Sequence, residues 1–271
     1  MPTDPDSMDV RPPPAGTPPA DRVGERLPSD RPGGSRSGDV LVIVAHPQLE
    51  QSRVNRALLR SALALEDRRI DAGAPRVVVR DLYALYPDYL IDTAAEQAAL
   101  ATASLVVWQH PIHWYSMPPL MKLWVDEVLA YGWAYGPGGR ALQGKDLWLV
   151  ATTGGPEESY RPDNYNRYFF DAFLPPFEQT AALCGMRFLP PLMLHGAHHA
   201  SDAEVAAHAA TYAERLASHP HWPEMDELEA CVACEVPRTE RPQQLTAMAS
   251  ERAPDRTTNR VTGQAAENAS A

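Results

Sequence analysis

Val40-Leu41-Val42-Ile43-Val44-Ala45-His46-Pro47-Gln48-Leu49-Glu50-Gln51-Ser52-Arg53-Val54-Asn55 joins an unbroken apolar, β-branched run to a polar loop and the opening of a helix. A strand with one wet face alternates apolar and polar residues, whereas one covered on both faces has no polar side to show. The run over 40–45 therefore predicts a strand inside a parallel sheet. The helical spacing from about Arg53 to Leu65 predicts its first crossover.

The same cadence repeats downstream. Arg76-Val77-Val78-Val79-Arg80 reads as a second strand and Leu105-Val106-Val107-Trp108-Gln109 as a third. Leu147 to Thr152 is a fourth, and Met186 to Leu194 supplies a fifth extended run. Between them, Thr93-Ala94-Ala95-Glu96 has the form of a capping box opening a helix to about Ala103. Pro118 opens another, with Leu120, Leu123, Trp124 and Val128 at helical spacing; Leu123 and Trp124 suit either the core or a partner surface. Phe170 to Cys184, interrupted near Pro175-Pro176, and Asp202 to Ala217 complete the helices. Apolar strands alternating with helices give right-handed βαβ units. The expected fold is a doubly wound five-stranded parallel α/β sheet with helices on both faces.

Composition sets the limits of that domain. The chain has 271 residues and 27 prolines, about twice the usual roughly 5%. Many crowd into 1–38 with Gly, Ser and charge, a mixture that cannot bury enough surface to offset its ordering entropy. Residues 1–38 are expected to be a disordered Pro-rich tail, 39–222 the folded domain, and 223–271 a second, polar tail. A net charge of −11 argues against nucleic acid, which needs a surplus of Lys and Arg. Three cysteines are too few for a disulfide framework and suit a reducing cytosol. There is no apolar segment of the kind that opens a secretory signal, and no run approaches the roughly 18 apolar residues of a membrane span. A cytoplasmic protein is expected.

In such sheets ligands sit beyond the carboxyl ends of the strands, so the loops there carry the function. The first, His46 to Asn55, lacks a GxGxxG fingerprint. It ends instead in Ser52 at a helix N-cap, with Arg53 and Asn55 in the first turn, which is an anion site as well as an ordinary cap. The third strand feeds His110-Pro111-Ile112-His113-Trp114-Tyr115-Ser116, whose aromatics either wall a flat heterocycle or pack under the next helix. The fourth feeds Thr152-Thr153-Gly154-Gly155, where backbone can approach a ligand closely. Three ligand-shaped loops after three strands weigh more than any one.

Longer stretches carry a family resemblance. They include Leu-Tyr-Ala-Leu-Tyr-Pro-Asp-Tyr-Leu-Ile-Asp at 82–92 and the block from Val107 to Val128, VWQHPIHWYSMPPLMKLWVDEV. GWAYGPGG at 132–139, TTGG at 152–155 and CGMRFLPP at 184–191 extend it. The chain resembles the flavodoxin-like NAD(P)H quinone oxidoreductases, and among them the KefF and KefG ancillary proteins of glutathione-regulated potassium efflux systems. The resemblance covers nearly all of 40–222 and neither tail.

It implies an FMN cofactor, chosen over FAD by likeness to the shorter family members, and NAD(P)H as co-substrate. His46, Ser52, Arg53, Val54 and Asn55 would hold the phosphate and ribityl chain. Ile112, His113, Trp114 and Tyr115 would border the ring, and Thr152, Thr153, Gly154 and Gly155 its pyrimidine edge. The implied reaction is a two-electron, ping-pong reduction of a quinone. Related reductases use a Tyr and a nearby His downstream of the TTGG loop for proton transfer. Tyr160 matches the Tyr, but Arg161 to Asn166 contains no His, so Tyr160 stands alone as the catalytic candidate. The resemblance further implies a homodimer. It also offers a second reading, a regulatory subunit that binds and activates a potassium/proton antiporter and is held by it at the inner face of the cell membrane. A third reading, an electron carrier without turnover, fits the aromatic-walled loop less well. No metal is expected: His195, His198 and His199 have no carboxylate or Cys at ligand spacing, and a lone Cys231-Val232-Ala233-Cys234 falls in the polar tail, with only His219 and His221 to complete a zinc set.

Overall fold

The computed structural model describes residues 38–66 and 75–228. Five strands, Asp39–Val44 (β1), Val77–Asp81 (β2), Ala103–Pro111 (β3), Asp146–Thr152 (β4) and Arg187–Leu194 (β5), form one sheet in the order β2-β1-β3-β4-β5. Every pairing is parallel. The order reverses between β1 and β3, and there the loops after the two strands diverge to opposite faces and leave a crevice.

Six α-helices cover the sheet: Arg53–Glu66 (α1), Leu82–Leu85 (α2), Thr93–Thr102 (α3), Pro119–Val128 (α4), Pro175–Leu183 (α5) and Asp202–Ser218 (α6). The unbroken apolar strands are explained by the two cores. Val40, Val42 and Val44 pack with Val54, Leu58 and Ala62 of α1 and Tyr212 and Leu216 of α6. Leu41, Ile43 and Ala45 point the other way, into a core shared with α3, α4 and α5. Trp124, left open by its sequence between core and partner surface, is fully buried in that second core. The doubly wound α/β sheet read from the sequence is the fold observed.

Two elements differ in detail from expectation. Asp92, not Thr93, caps α3, its side chain accepting from the Ala95 N–H at 3.0 Å. Glu96 therefore makes no capping box. It is fully buried and accepts from the Arg80 guanidinium at 2.6 Å, the Tyr86 hydroxyl at 2.5 Å and the Trp124 indole at 2.9 Å. One carboxylate thus ties β2, the loop after α2, α3 and α4 together.

The second difference lies past α6. Ordered structure continues beyond 222: Pro223–Asp226 forms a 3-10 turn, and Trp222 and Met225 are buried against the sheet. Trp222 meets Trp148 edge-on at 4.9 Å. Beside it His219 contacts Asp146 at 2.9 Å, and Arg187 grips the same carboxylate through two nitrogens. Burial pushes the Asp146 pKa up, but His219 and Arg187 outweigh it and hold the group below its ordinary value. Cys231 and Cys234 lie outside the described residues, as do residues 1–37 of the expected 1–38 tail and 229–271 of the expected 223–271 tail.

Candidate active site

At the carboxyl ends of β1, β3 and β4 a cavity of about 1010 Å³ opens, at the upper end of the roughly 300–1,000 Å³ usual for ligand sites. From the first loop, His46, Ser52, Arg53 and Val54 line it. Ser52 is the N-cap of α1, its Oγ accepting from the Asn55 N–H at 3.2 Å. The N–H groups of Arg53 and Val54 donate to no other backbone group, as the first turn of a helix requires. The Arg53 guanidinium donates to the Ala200 carbonyl at 3.1 Å and to Asp202 at 2.5 Å, so its charge is partly matched within the protein.

Asn55 sits elsewhere. It is buried and turned inward, donating from Nδ2 to Thr152 Oγ1 at 3.0 Å while its backbone carbonyl accepts from Gln109 at 3.0 Å. It joins α1 to β3 and β4 and does not line the cavity.

His46 accepts the Gln48 N–H on Nδ1 at 3.1 Å. Desolvation, reinforced by the neighbouring His113, lowers its pKa to about 4. The ring is neutral at physiological pH.

Ile112, His113 and Trp114 of the second loop line the cavity. His113 and Ser116 exchange both backbone hydrogen bonds, at 2.9 and 3.0 Å. Trp114 and Tyr115 are the two central residues of this tight turn, at φ of 49° and 63°. That left-handed pair is the type I′ geometry that Asn-Gly prefers, and aromatic residues hold it only at a cost of about 1 kcal/mol or more each. Neither packs under the next helix. Trp114 is 94% exposed at the cavity rim. Tyr115 stacks on Phe173 at 5.0 Å and donates to Asn166 at 3.2 Å, outside the lining.

Thr152, Thr153 and Gly154 complete the walls. The N–H groups of Gly154 and Gly155 donate to no backbone acceptor among the described residues. Gly155 lies behind the wall, where a Cβ would meet Ser159 Oγ at 2.7 Å and the Tyr165 hydroxyl at 2.8 Å.

Tyr160 also stays out of the cavity. It is 8% exposed and packs among Phe170, Phe173 and His195, and desolvation raises its pKa. The segment searched for a histidine, 161–166, supplies none, but His195 from the loop after β5 places its ring 5.5 Å from that of Tyr160. Its Nδ1 lies 3.0 Å from the Thr153 hydroxyl. The clue was parallel register: Thr152 pairs with Leu194, so Thr153 and His195 leave adjacent strands together. His198 of the same loop lines the cavity as well.

A family model described as "Flavodoxin-like fold" matches residues 39–216. The glutathione-regulated potassium-efflux system ancillary protein KefF of Citrobacter koseri is 46% identical over 65% of this chain and 94% of its own length. Among solved structures, general stress protein 14 of Treponema denticola in complex with FMN is 39% identical, with a TM-score of 0.59 over 66% of this chain and 97% of that one. A chain described as a thermophilic tryptophan halogenase from Streptomycin violaceusniger is 42% identical, with a TM-score of 0.59 over 65% and 96%. A protein assigned as a quinone reductase from Klebsiella pneumoniae is 29% identical, with a TM-score of 0.54 over 66% and 84%. The differing names fit the rule that a fold hosts many functions and that the site must be argued for itself. The chain belongs to the flavodoxin-like fold family, in the branch that contains the KefF proteins.

Proposed function

We propose that the cavity holds FMN and that the protein is an NAD(P)H:quinone oxidoreductase working by a two-electron, ping-pong cycle. The observation that carries this reading is the donor set. Arg53 and Val54 line the cavity at one wall and Gly154 at another, and the N–H groups of all three have no backbone acceptor among the described residues. Among the described residues that line it there is no Asp or Glu, in a chain of net charge −11. Such a site fits a phosphate at the end of α1 and a flat heterocycle beyond it. The FMN named with the Treponema denticola relative supports the same cofactor, and the Klebsiella pneumoniae protein supports the acceptor.

FMN, when bound, supplies the two-electron chemistry, accepting hydride from a nicotinamide and returning the electrons to a quinone. The protein's own residues do the rest. Ser52 and the first turn of α1 would hold the phosphate, Arg53 adding charge shared with Asp202. Trp114 and Ile112 would orient the ring and exclude water from one side. The Gly154 N–H would serve the edge where negative charge gathers on reduction, an arrangement worth a few kcal/mol when preorganised.

Steady-state rates with NADPH varied against menadione test the cycle. Parallel double-reciprocal lines are expected, and intersecting lines contradict ping-pong. Trp114→Gly tests the wall. Glycine removes the left-handed penalty, so the melting temperature is expected to hold or rise slightly. The lost stacking, about 0.5–1.5 kcal/mol, raises the Kd for FMN by roughly 2- to 13-fold. An unchanged Kd would mean that the indole is no part of the site.

The KefF relative, named as an ancillary protein of a potassium-efflux system, supports a second role, binding and activating a membrane potassium/proton antiporter from the cytoplasmic side. No helix among the described residues is long and apolar enough to cross a membrane. A homodimer suits the exposed aromatics, Trp114 at the cavity and Tyr165, Tyr168 and Phe169 in the segment after β4, each at least 61% exposed. Co-purification with an antiporter supports the second role, and failure to co-purify in mild detergent opposes it.

A further inference from the structure

Reduction of a quinone to a hydroquinone consumes two electrons and two protons. NAD(P)H delivers hydride, which is two electrons and one proton, so one more proton must reach the cavity. Tyr160, the residue the sequence offered, does not line it. Thr153 does, and behind its hydroxyl stands an imidazole.

We infer that the Thr153 hydroxyl delivers this proton and that His195 resupplies it through Nδ1. The inference rests on the quinone reductase reading of the same cavity. It begins with a count of hydrogens. Thr153 Oγ1 lies 2.8 Å from the Gly155 carbonyl and 3.0 Å from His195 Nδ1, yet a hydroxyl has one proton to give. A carbonyl only accepts, so Thr153 donates to Gly155. The second contact is then a hydrogen bond only if His195 carries its proton on Nδ1 and donates to Thr153. His195 Nε2 has no hydrogen-bond partner among the described residues and is not sealed from water. The ring thus connects solvent on one side to the hydroxyl of a cavity-lining threonine on the other.

The surroundings suit the task. The ring is half-buried, and desolvation lowers its pKa, opposed by the charges of Glu157 and Glu158. Tyr160 and Phe170 hold it by packing at 5.5 and 5.0 Å. His195 is therefore neutral in the empty cavity at neutral pH and takes a proton on Nε2 as negative charge accumulates nearby. Thr153 then turns from Gly155 to the reduced oxygen: its O–H bond breaks as the new O–H of the product forms. The Nδ1–H bond breaks as the Thr153 hydroxyl is remade, leaving a neutral imidazole. Exchange with water restores the starting tautomer. Tyr160 acts in this scheme as a positioning residue for the imidazole.

Two measurements decide it. In the apoprotein, nitrogen NMR of His195 is expected to show the Nδ1–H tautomer, changing to Nε2–H in Thr153→Val; an Nε2–H ring in the wild type overturns the inference. In the FMN-loaded enzyme, Thr153→Val is expected to lower kcat for menadione about 100-fold with little change in KM. Thr153→Ser recovers at least tenfold of that loss, and His195→Gln removes the ionisation of His195 from the pH profile. A working wild type with an equally fast Thr153→Val and an unmoved profile overturns the inference alone. A loaded wild type that reduces no quinone overturns it together with the reading beneath it.

Discussion

Gly154→Val is expected to weaken FMN binding by at least 100-fold while changing the melting temperature by no more than about 2 °C. The reason is where the new atoms go. Gly154 does not lie in the left-handed region, so a branched residue meets no backbone penalty there, and a Cβ at this position would touch only the edge of His198 at 3.4 Å. Little in the folded protein opposes the substitution, but the residue lines the cavity. The two methyl groups of valine stand beside the free N–H and occupy the space of the ligand edge it would serve. A 100-fold loss is about 2.7 kcal/mol, of the size expected for one preorganised donor lost together with close contact. Gly155→Ala is the contrasting control: its Cβ would overlap the buried Ser159 Oγ, and overpacking of this sort costs about 1–3 kcal/mol of stability. Fluorescence titration of apoprotein with FMN and a thermal melt separate the two. Near-native affinity in Gly154→Val would remove that loop from the site.

Glu96→Ala is expected to be the most damaging single change to the fold. It strands the Trp124 indole N–H, the Tyr86 hydroxyl and the Arg80 guanidinium together, all three of which end on one buried carboxylate. Breaking a buried charge pair from one side costs about 3–5 kcal/mol, and at roughly 2–4 °C per kcal/mol for a domain of this size the melting temperature falls by roughly 10 °C. Glu96→Gln keeps the shape and one acceptor and should lose about half as much. Urea unfolding midpoints at constant slope measure both. A loss under about 1 kcal/mol for Glu96→Ala would show that the cluster is dispensable.

The fold was legible because burial on both faces writes itself into a strand as an unbroken apolar run, and five such runs alternate with helices here. The positions of the three loops followed from topology alone. What each side chain does in them depended on information a single sequence does not carry. Asn55 is one turn from Ser52 on α1, and only the packing of α1 on the sheet turns it toward Thr152. Glu96 stands where a capping box puts its acid, but Asp92 is a better cap and frees Glu96 for the core. The pairing of Thr153 with His195 needs the register of β4 and β5, which shifts between Trp148 and Val150. No pattern of residue types predicts that irregularity. The exposure of Trp114 was likewise hidden, since the turn that presents it uses residues that type I′ turns seldom contain.

The most direct test of the central claim is the visible spectrum of the purified full chain, loaded with FMN and held without oxygen, before NADPH, after NADPH and after menadione. Flavin absorbance that bleaches with NADPH and returns with menadione is the predicted result. A protein that takes up no FMN, or whose bound FMN is left unchanged by NADPH and NADH alike, contradicts the account.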